Sequence, residues 1–396
     1  MTYTTSNRIP LSEPVISGNE WKYIKECLDT GWVSSVGSYV TRFEEMAARY
    51  VGAKYAVAIV NGTSALHLSL IACEVRPDDE VIVPTLTFVA PANVIKYCCA
   101  HPVFMDCDSD TLCMDVQKVT DFLDKECRRR ADGYTYNKDT GRRVKAVIPV
   151  HIFGHPVEMQ PLLEVCEKYN ISIVEDATES LGSRYNGRFT GSMGLTGCFS
   201  FNGNKIITTG GGGMIVTDDK KAADRVRHLS TQAKRDPFEY DHDEVGYNYR
   251  FSNIQAAMGV AQLERIEEFV AIKRRNARMY AELLSGLEEI EFMGEKTWAS
   301  SNCWFYTIRT LNGPKNPLMK SLLGRNIQVR PIWKLIHTLP MYKSFQAFRI
   351  EKAELAHETC INLPCSVSLK ENEIRSVVEC VKDYYRASTC KAVTLR

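Results

Sequence analysis

The sequence lacks most of the features that mark membrane, secreted and nucleic-acid-binding proteins. Its 396 residues contain no run of about 18 apolar residues, so no membrane-spanning helix is expected. The segment Met1–Pro10 is polar and holds no apolar core of a signal peptide, and the 14 cysteines form no C-x-x-C pair. The net charge is only +1, with both signs interspersed, which argues against nucleic acid as a partner. We therefore expect a cytoplasmic protein with reduced thiols.

Metal-ligand patterns are missing as well. His151 and His155 are close in sequence, but Gly154 and Pro156 put them at the end of a strand and not on one face of a helix. No carboxylate or cysteine pattern completes a site around them. We predict no metal site, and we expect His151 to line a pocket or to pack in the core.

Short apolar runs alternate with amphipathic stretches through the first part of the chain. Seven runs are predicted strands: Tyr55–Val60, Glu80–Val83, Pro102–Met105, Ala146–Val150, Ile171–Val174, Gly197–Phe201 and Gly213–Thr217. Helical patterns accompany them at Tyr39–Tyr50, Ser64–Glu74, Pro91–Cys99, Val116–Cys127 and Met159–Tyr169. Because strands that alternate with helices usually pair in parallel, we predict an α/β fold with helices on a mostly parallel sheet.

The pattern divides the chain into two predicted domains. Residues 1–255 form the large domain with its N-terminal segment, and residues 256–396 hold a long linking helix and a small C-terminal domain. The long helical pattern runs over Asn253–Leu287. After it come a strand-like run at Trp304–Ile308 and a closing helix near Lys370–Arg386.

The segment Arg128–Arg143 differs from its surroundings. It is polar, rich in charge and in turn-forming residues. Such a stretch is typical of a surface connection, so we predict an exposed loop inserted into the large domain, with a solvated run of charge.

A candidate phosphate site follows the first predicted strand. The heptapeptide Asn61–His67 joins the end of that strand to a helix through small residues. The first turn of a helix offers free N–H groups and the positive end of its dipole, and the hydroxyls of Thr63 and Ser64 could add donors. Taken alone, the pattern is more often a simple turn before a helix.

Two carboxylates close another predicted strand, in Ile173–Ala177. In open α/β sheets, ligands bind at the carboxyl ends of strands, so Asp176 is well placed to hold a cationic heterocycle. By itself, an aspartate at this position is more often a helix cap.

A lysine precedes a glycine-rich turn in the segment Phe199–Gly213. Lys205 stands five residues after Ser200 and just before the four consecutive glycines Gly210–Gly213. The bare backbone suits a lysine that must reach a planar cofactor lying close to the main chain. Alone, a lysine is usually a surface charge and a glycine run a turn.

Together the three motifs are the arrangement of fold-type I pyridoxal-phosphate enzymes, and the whole chain resembles the sugar-nucleotide aminotransferases of the DegT/StrS type. Further motifs match in the same order: Thr30–Gly37, Val83–Phe88, Val150–Gly154, Gly246–Arg250, and Arg330–Trp333 followed by His337. The resemblance implies a large domain, with a mostly parallel seven-stranded sheet sandwiched by helices, and a smaller C-terminal α/β domain.

The resemblance also implies pyridoxal 5'-phosphate as the cofactor. Lys205 matches the catalytic lysine that forms a Schiff base with it and later moves the substrate proton. Asp176 matches the carboxylate that pairs with the pyridine nitrogen, and Glu179 lies near the ring's 3-oxygen. Phe88 matches an aromatic that stacks on the ring, although it could also be a core residue. The implied cofactor contacts are Gly62, Thr63, Ser64, Phe88, Asp176, Glu179, Ser200, Lys205 and Asn248.

Substrates and assembly follow from the same resemblance. Asn248 matches an asparagine that reaches the phosphate from the other subunit, which implies a homodimer with the active site at the subunit interface. Arg250 either binds the carboxylate of the amino donor or is structural, and His337 is implied to contact substrate. We expect L-glutamate as donor and a 4-keto-6-deoxy sugar nucleotide as acceptor, in the synthesis of sugars for surface polysaccharides.

The resemblance implies a UDP-linked acceptor of the N-acetylglucosamine type. Gly211 replaces a glutamate that many relatives carry, and with the Arg128–Arg143 insertion and the run Glu175–Ser180 this departure makes the chain resemble the branch that feeds diamino-sugar and nonulosonic-acid pathways. A GDP-linked, perosamine-type acceptor is the alternative. Two other functions stay open, a sugar dehydratase with the same cofactor and a non-catalytic binding protein. Dehydrating relatives have histidine in place of Lys205, and the intact set of Lys205, Asp176 and Ser200 argues against a mere binding protein.

Overall fold

The computed structural model describes residues 8–236 and 238–394. Its helices are α1 (Glu20–Thr30), α2 (Ser38–Val51), α3 (Gly62–Ala72), α4 (Ala90–Tyr97), α5 (Val116–Lys125), α6 (Met159–Tyr169), α7 (Lys220–Ser230), α8 (Asn253–Leu263), α9 (Ile266–Leu284), α10 (Asn316–Gly324), α11 (Lys352–Thr359) and α12 (Glu371–Thr394). Its strands are β1 (Tyr55–Ile59), β2 (Glu80–Pro84), β3 (His101–Met105), β4 (Cys127–Arg129), β5 (Thr135–Asn137), β6 (Val144–Val147), β7 (Ser172–Asp176), β8 (Arg184–Tyr185), β9 (Arg188–Phe189), β10 (Thr196–Ser200), β11 (Gly213–Thr217), β12 (Ile290–Phe292), β13 (Ala299–Ser300), β14 (Tyr306–Thr310), β15 (Arg330–Pro331), β16 (Ala347–Phe348) and β17 (Cys360–Leu363). Short 3-10 helices cover Ile152–Gly154 and Ile336–Thr338.

The main sheet is mostly parallel, as predicted, but within the described part of the chain it has eight strands and not seven. The strand order is β1-β11-β10-β7-β6-β2-β3-β16, and β11 alone runs against the others. The seven predicted strands all take part. The eighth, β16, comes from the C-terminal region and pairs with Phe104 and Met105 at the edge of the sheet. Two residues are too few to show a periodic pattern, so sequence could not reveal it.

Burial on both faces explains why the central strands consist of apolar runs. All five residues of β2 are buried, because helices cover the sheet on both sides. Helix α3 is apolar nearly all round and lies against β10 and β11, so it belongs to the core. This packing fixes the first turn of α3 at the edge of the sheet where the strands end.

The C-terminal part is built on a second, antiparallel sheet. Its strand order is β12-β14-β17-β15; α9 packs beside β12, and α12 packs against α9 and α10. The long helical pattern over Asn253–Leu287 is wrong as one helix, because it breaks between α8 and α9. Arg265 leaves helical geometry at the break, with φ −114° and ψ 6°. The boundary between residues 255 and 256 stays a prediction.

The segment Arg128–Arg143 is exposed at half of its residues, the charged run Arg128–Arg130 among them, but it is not the simple loop that its composition predicted. It forms the β4–β5 hairpin, whose Thr135 and Asn137 are buried. The Asn137 amide donates to Oε2 of Glu80 over 2.8 Å, and Thr140 donates to Oε1 over 2.6 Å. The polar residues thus satisfy a buried carboxylate, which composition alone could not show.

Among the described residues, no helix has both the length and the apolarity that a membrane crossing needs. The cysteines whose side chains are described are all free, and most of them are buried.

Candidate active site

One cavity brings together most of the residues singled out in the sequence. It lies at the carboxyl ends of β1, β2, β7 and β10, where open α/β sheets bind ligands, and it encloses about 500 Å³. The predicted residues in its wall are Gly62, Thr63, Phe88, Asp176, Glu179, Ser200 and Lys205. Three separate stretches of sequence thus converge on one site.

The start of α3 forms an anion cradle. Asn61 is the N-cap, and its Oδ1 accepts a hydrogen bond from the amide of Ser64 over 2.8 Å. Helix geometry leaves the amides of Gly62 and Thr63 without an intrahelical acceptor, so they remain available to an anion. Ser64 itself does not line the cavity, because its amide is held by Asn61 and its side chain is buried.

Two glycines allow the cradle to lie close to neighbouring strands. A Cβ atom on Gly62 would lie 3.0 Å from Cβ of Ser200, so this residue's small size sets the gap between the cradle and β10. A Cβ atom on Gly213 would lie 2.6 Å from the carbonyl carbon of Asn61, which is closer than real contacts permit. By contrast, Gly211 lines the cavity with open space around it, and a Cβ atom there would lie 3.8 Å from its nearest neighbour, Nε2 of Gln255.

The two carboxylates that end β7 point in opposite directions, as neighbours on a strand must. Glu175 is fully buried and accepts hydrogen bonds from Nε2 of His151 at 3.0 Å and from the amides of Gly191, Met193 and Gly194. Burial alone would raise the pKa of Glu175, but these donors outweigh it and lower the pKa. His151 therefore packs in the core, one of the two places expected for it.

Asp176 faces the cavity. Its Oδ1 accepts the amide of Thr178 over 3.1 Å, and the side chain is almost completely buried. Burial raises the pKa of Asp176, while the hydrogen bonds from Thr178 and the charge of Lys205 oppose the rise. A cationic partner in the cavity would favour the charged carboxylate.

Lys205 reaches the same space from the turn after β10. Its Nζ lies 3.9 Å from Oε1 of Glu179 and 4.0 Å from the centre of the Trp304 ring. Burial lowers the pKa of Lys205, and the charges of Glu179 and Asp176 oppose this shift. A lysine with a lowered pKa is a better nucleophile and base near neutral pH.

Glu179 is buried beside this lysine. Its Oε2 accepts the amide of Phe153 over 2.7 Å. Burial raises the pKa of Glu179 to about 7, against the charge of Lys205 and the Phe153 hydrogen bond. The carboxyl can therefore gain or lose a proton near neutral pH.

Two tryptophans in the wall were not identified as site residues from the sequence. Trp304 begins a predicted strand and was interpreted only as part of it, although its indole N–H donates to the carbonyl of Asn204 over 2.8 Å beneath Lys205. Trp333 belongs to a matched motif but had no assigned role. Its ring lies 5.5 Å from that of Phe88, edge to face. Phe88 is 52% exposed, so its ring stands at the mouth of the cavity and is not a core residue.

Arg250 does not line the cavity of its own chain. Its Nη1 lies 3.0 Å from Oε1 of Glu44 and donates to the carbonyl of Ala58 over 3.3 Å. Glu44 also pairs with Arg227 and accepts the amide of Ala58. The structure thus gives Arg250 a structural partner, and a contact with substrate stays a prediction.

His337 and Asn248 also lie outside the cavity lining. Nδ1 of His337 is 2.6 Å from Oγ1 of Thr85, just after β2. Asn248 is exposed and forms a bridge with Thr231. Its exposed position is compatible with a contact to another subunit, which remains a prediction, as does the role of His337.

The donor set fits pyridoxal phosphate. The cradle of Gly62 and Thr63 suits the phosphate, the buried Asp176 suits a cationic ring nitrogen, and Lys205 supplies an amine for the aldehyde. Two buried polar atoms in the wall, Oδ1 of Asn204 and Nε1 of Trp333, have no hydrogen-bond partner among the described residues. Because buried polar groups are normally paired, these atoms indicate a site completed by a ligand.

Comparison with known proteins decides the family. The model of the DegT/DnrJ/EryC1/StrS aminotransferase family matches residues 14–382. The chain belongs to this family. It is therefore a pyridoxal-phosphate-dependent sugar aminotransferase, and Lys205, Asp176 and the α3 cradle occupy one cavity as such chemistry requires.

Individual relatives agree over nearly the whole chain. It is 38% identical to the GDP-perosamine synthase of Caulobacter vibrioides, over 94% of this chain and 96% of that protein. The GDP-perosamine synthase of Escherichia coli O157:H7 is 36% identical, over 95% and 98% of the two chains. The solved aminotransferase TlmJ from Streptoalloteichus hindustanus superimposes with a TM-score of 0.87 at 26% identity, over 96% of this chain and all of that one. The predicted fold and cofactor are confirmed.

Proposed function

We propose that the protein transfers the amino group of L-glutamate to the keto carbon of a GDP-linked 4-keto-6-deoxy hexose. The observation that carries the reaction class is the convergence of Lys205, Asp176 and the α3 cradle in one cavity. Support for the acceptor comes from relatives that are GDP-perosamine synthases and match at 36% to 38% identity over almost their full length. These relatives favour the GDP-linked alternative over the UDP-linked acceptor first expected from the sequence.

Pyridoxal phosphate, when bound, supplies an electron sink for the carbanion that forms at the substrate carbon. The chain supplies orientation and proton transfer. Asp176 holds a positive charge at the ring nitrogen, and the first turn of α3 fixes the phosphate end. Lys205, with its lowered pKa, can take a proton from a substrate carbon and return it at a neighbouring atom.

The carboxyl of Glu179 is a second group that can bind the proton. Its carboxyl lies 3.9 Å from Nζ of Lys205 and has a pKa of about 7, raised chiefly by burial. A protonated Glu179 removes one of the two carboxylate charges that act on Lys205, the other being Asp176, and so favours the neutral, basic amine. An ionised Glu179 favours the ammonium form. The protonation state of Glu179 thus sets the fraction of Lys205 that is neutral and can act as a base.

We also propose that the active form is a homodimer in which Asn248 completes the partner's site. Asn248 is exposed, outside its own cavity, and follows a stretch that also exposes Val245. Large apolar side chains stand exposed on the N-terminal segment too, with Trp21 at 81% and Trp32 at 58%. Exposed apolar surface of this kind is typical of an interface between subunits.

An amino-transfer assay tests the proposal. Purified enzyme is incubated with L-glutamate and the GDP-linked keto sugar, in parallel with the UDP-linked one, and the aminated sugar nucleotide is followed by mass spectrometry. Lys205→Ala should lose product formation, while Lys220→Ala, at an exposed lysine paired with Asp224, should retain it. Product from the UDP-linked sugar alone would overturn the proposed acceptor. Loss of water from the sugar without amination would overturn the proposed reaction.

A further inference from the structure

A second cavity lies between the large sheet and the C-terminal part, apart from the one that holds Lys205. It has an apolar wall formed by Leu112, Ile152, Phe153, Met293 and Phe305, and it encloses about 240 Å³. Ligand pockets of drug-sized molecules are usually above about 300 Å³, so this space suits a smaller body. Apolar walls at a junction of two layers are the usual setting of a small-molecule site.

The charged groups at the rim of this cavity leave one cation unpaired. Arg274 is held by Glu295, with both carboxylate oxygens within 3.0 Å of its guanidinium. Asp110 is held by Lys296 at 2.5 Å. Arg278, one turn further along α9, lines the same cavity and has no hydrogen-bond or ion-pair partner among the residues that the structure describes. The electrostatic preference of the site is therefore for a single negative charge beside an apolar body.

Phe153 connects this cavity to the active site. Its ring lies 5.8 Å from that of Phe305 in the second cavity and 6.0 Å from that of Trp333 in the active-site wall. Its amide donates to Glu179, and its carbonyl accepts the amide of Phe305 over 3.3 Å. One residue thus contacts both cavities through its ring and its backbone.

The backbone conformation of Phe153 makes the link between the two cavities sensitive to movement of this residue. Its φ is +55° and its ψ is 15°, the left-handed region that bulky residues rarely occupy. Such a conformation is kept only where the surroundings determine it. A ligand that pushes on the ring or on Phe305 would therefore move the amide that holds the Glu179 carboxylate.

We propose that the second cavity is a regulatory site for a small monoanion with an aromatic or aliphatic body. Arg278 binds the anionic group, the apolar wall takes the body, and Phe153 transmits occupancy to Glu179 beside Lys205. Lys205 faces the carboxyl groups of Glu179 and Asp176, and Asp176 also acts on Glu179. Because occupancy moves the hydrogen-bond donor of Glu179 and Glu179 biases the protonation of Lys205, it changes the pH dependence of the cofactor site. This effect requires the ligand to bind more tightly when Phe153 is displaced than when it is in the position described here, or the reverse.

The test uses the cofactor-loaded enzyme and naphthalene-2-sulfonate as the probe. Titration calorimetry should detect saturable binding of one probe per chain, and Arg278→Gln should weaken it at least tenfold. Arg275→Gln is the matched control, since Arg275 is exposed on the same helix but does not line the cavity, and it should bind as the wild type does. The uncharged naphthalene-2-methanol should bind at least tenfold more weakly than the probe.

The visible absorption of the bound cofactor reports the coupling. The probe at a concentration near its wild-type dissociation constant should shift the pH midpoint of this band in the wild type and in Arg275→Gln, and should shift it much less in Arg278→Gln, which is then mostly unoccupied. Equal binding to Arg278→Gln, or displacement of the probe by guanosine diphosphate, would overturn the second site. Binding to the wild type with no shift of the midpoint would overturn its connection to Glu179.

Discussion

Nζ of Lys205 lies 3.9 Å from Oε1 of Glu179, and burial moves the pKa values of the two groups toward each other. It lowers that of the lysine and raises that of the carboxyl to about 7. Burial thus disfavours the state in which both groups are charged, the state that two exposed groups of these types would adopt near neutral pH. Trp304, whose ring lies 4.0 Å from the amine, adds an attraction for the ammonium form.

Glu179→Gln should remove the part of the pH dependence of the unfolding free energy that the Glu179 carboxyl contributes. The pKa of Glu179 is about 7 in the fold, against an ordinary 4.5, so the native state binds more protons between these values. Stability from this group is fully present below pH 4.5 and is lost as the pH rises through 7. The loss is at most about 3.4 kcal/mol, because the two pKa values differ by about 2.5 and one pKa unit corresponds to about 1.36 kcal/mol.

The measurement is urea unfolding of cofactor-free protein at pH 5 and at pH 7.5. The wild type should lose more unfolding free energy between the two than Glu179→Gln does. Glu358→Gln, at a carboxyl outside the active-site cavity, serves as the control and should follow the wild type. Identical differences in wild type and Glu179→Gln would contradict the raised pKa.

Two alanine substitutions in one glycine run should differ in their effect, one destabilising the protein and the other leaving it nearly unchanged. Gly213→Ala places a Cβ 2.6 Å from the Asn61 carbonyl carbon, so the cradle or β11 must shift, at a cost of about 1–3 kcal/mol. Gly211→Ala meets nothing nearer than 3.8 Å and should leave stability within about 0.5 kcal/mol. Thermal unfolding and the affinity for pyridoxal phosphate measure both effects. Weaker cofactor binding in Gly211→Ala than in Gly213→Ala would contradict this account.

The same glycine run shows what sequence could and could not predict. The resemblance to fold-type I enzymes placed Lys205, Asp176 and the α3 cradle in one site, and each lies at or just after the carboxyl end of a strand of the main sheet. Sequence could not tell that Gly213 is required by a close approach to Asn61 while Gly211 is not. That difference depends on the position of β1 beside β11, two strands far apart in the chain.

The residues that sequence missed are those whose role depends on contacts across the fold. Trp304 fitted a strand pattern, and only the folded chain brings its ring beneath Lys205. The hairpin at Arg128–Arg143 has the composition of a loop, yet it satisfies the buried Glu80. Polar residues that pair with distant buried groups carry no periodic signal, so composition predicts them to be exposed.

Arg250→Gln distinguishes the two roles left open for this arginine. If its function is to pair with Glu44, both Arg250→Gln and Glu44→Gln should lower the free energy of unfolding, by about 2–4 kcal/mol. The KM for L-glutamate should then change little in either variant. If Arg250 binds the donor carboxylate, its substitution alone should raise the KM for L-glutamate at least tenfold. Denaturant unfolding and donor kinetics on the two variants measure these outcomes.

Complementation between two inactive variants tests the shared active site. Lys205→Ala lacks the catalytic amine, and Asn248→Ala should lack the contact supplied to the partner. If Asn248 acts across the interface, a heterodimer of the two variants holds one site with both residues intact and one with neither. Co-expression with two affinity tags and purification through both should then recover roughly half of the wild-type activity. If Asn248 acts within its own chain, each site of the heterodimer lacks one residue and no activity returns. Light scattering that shows an active monomer would also contradict the shared site.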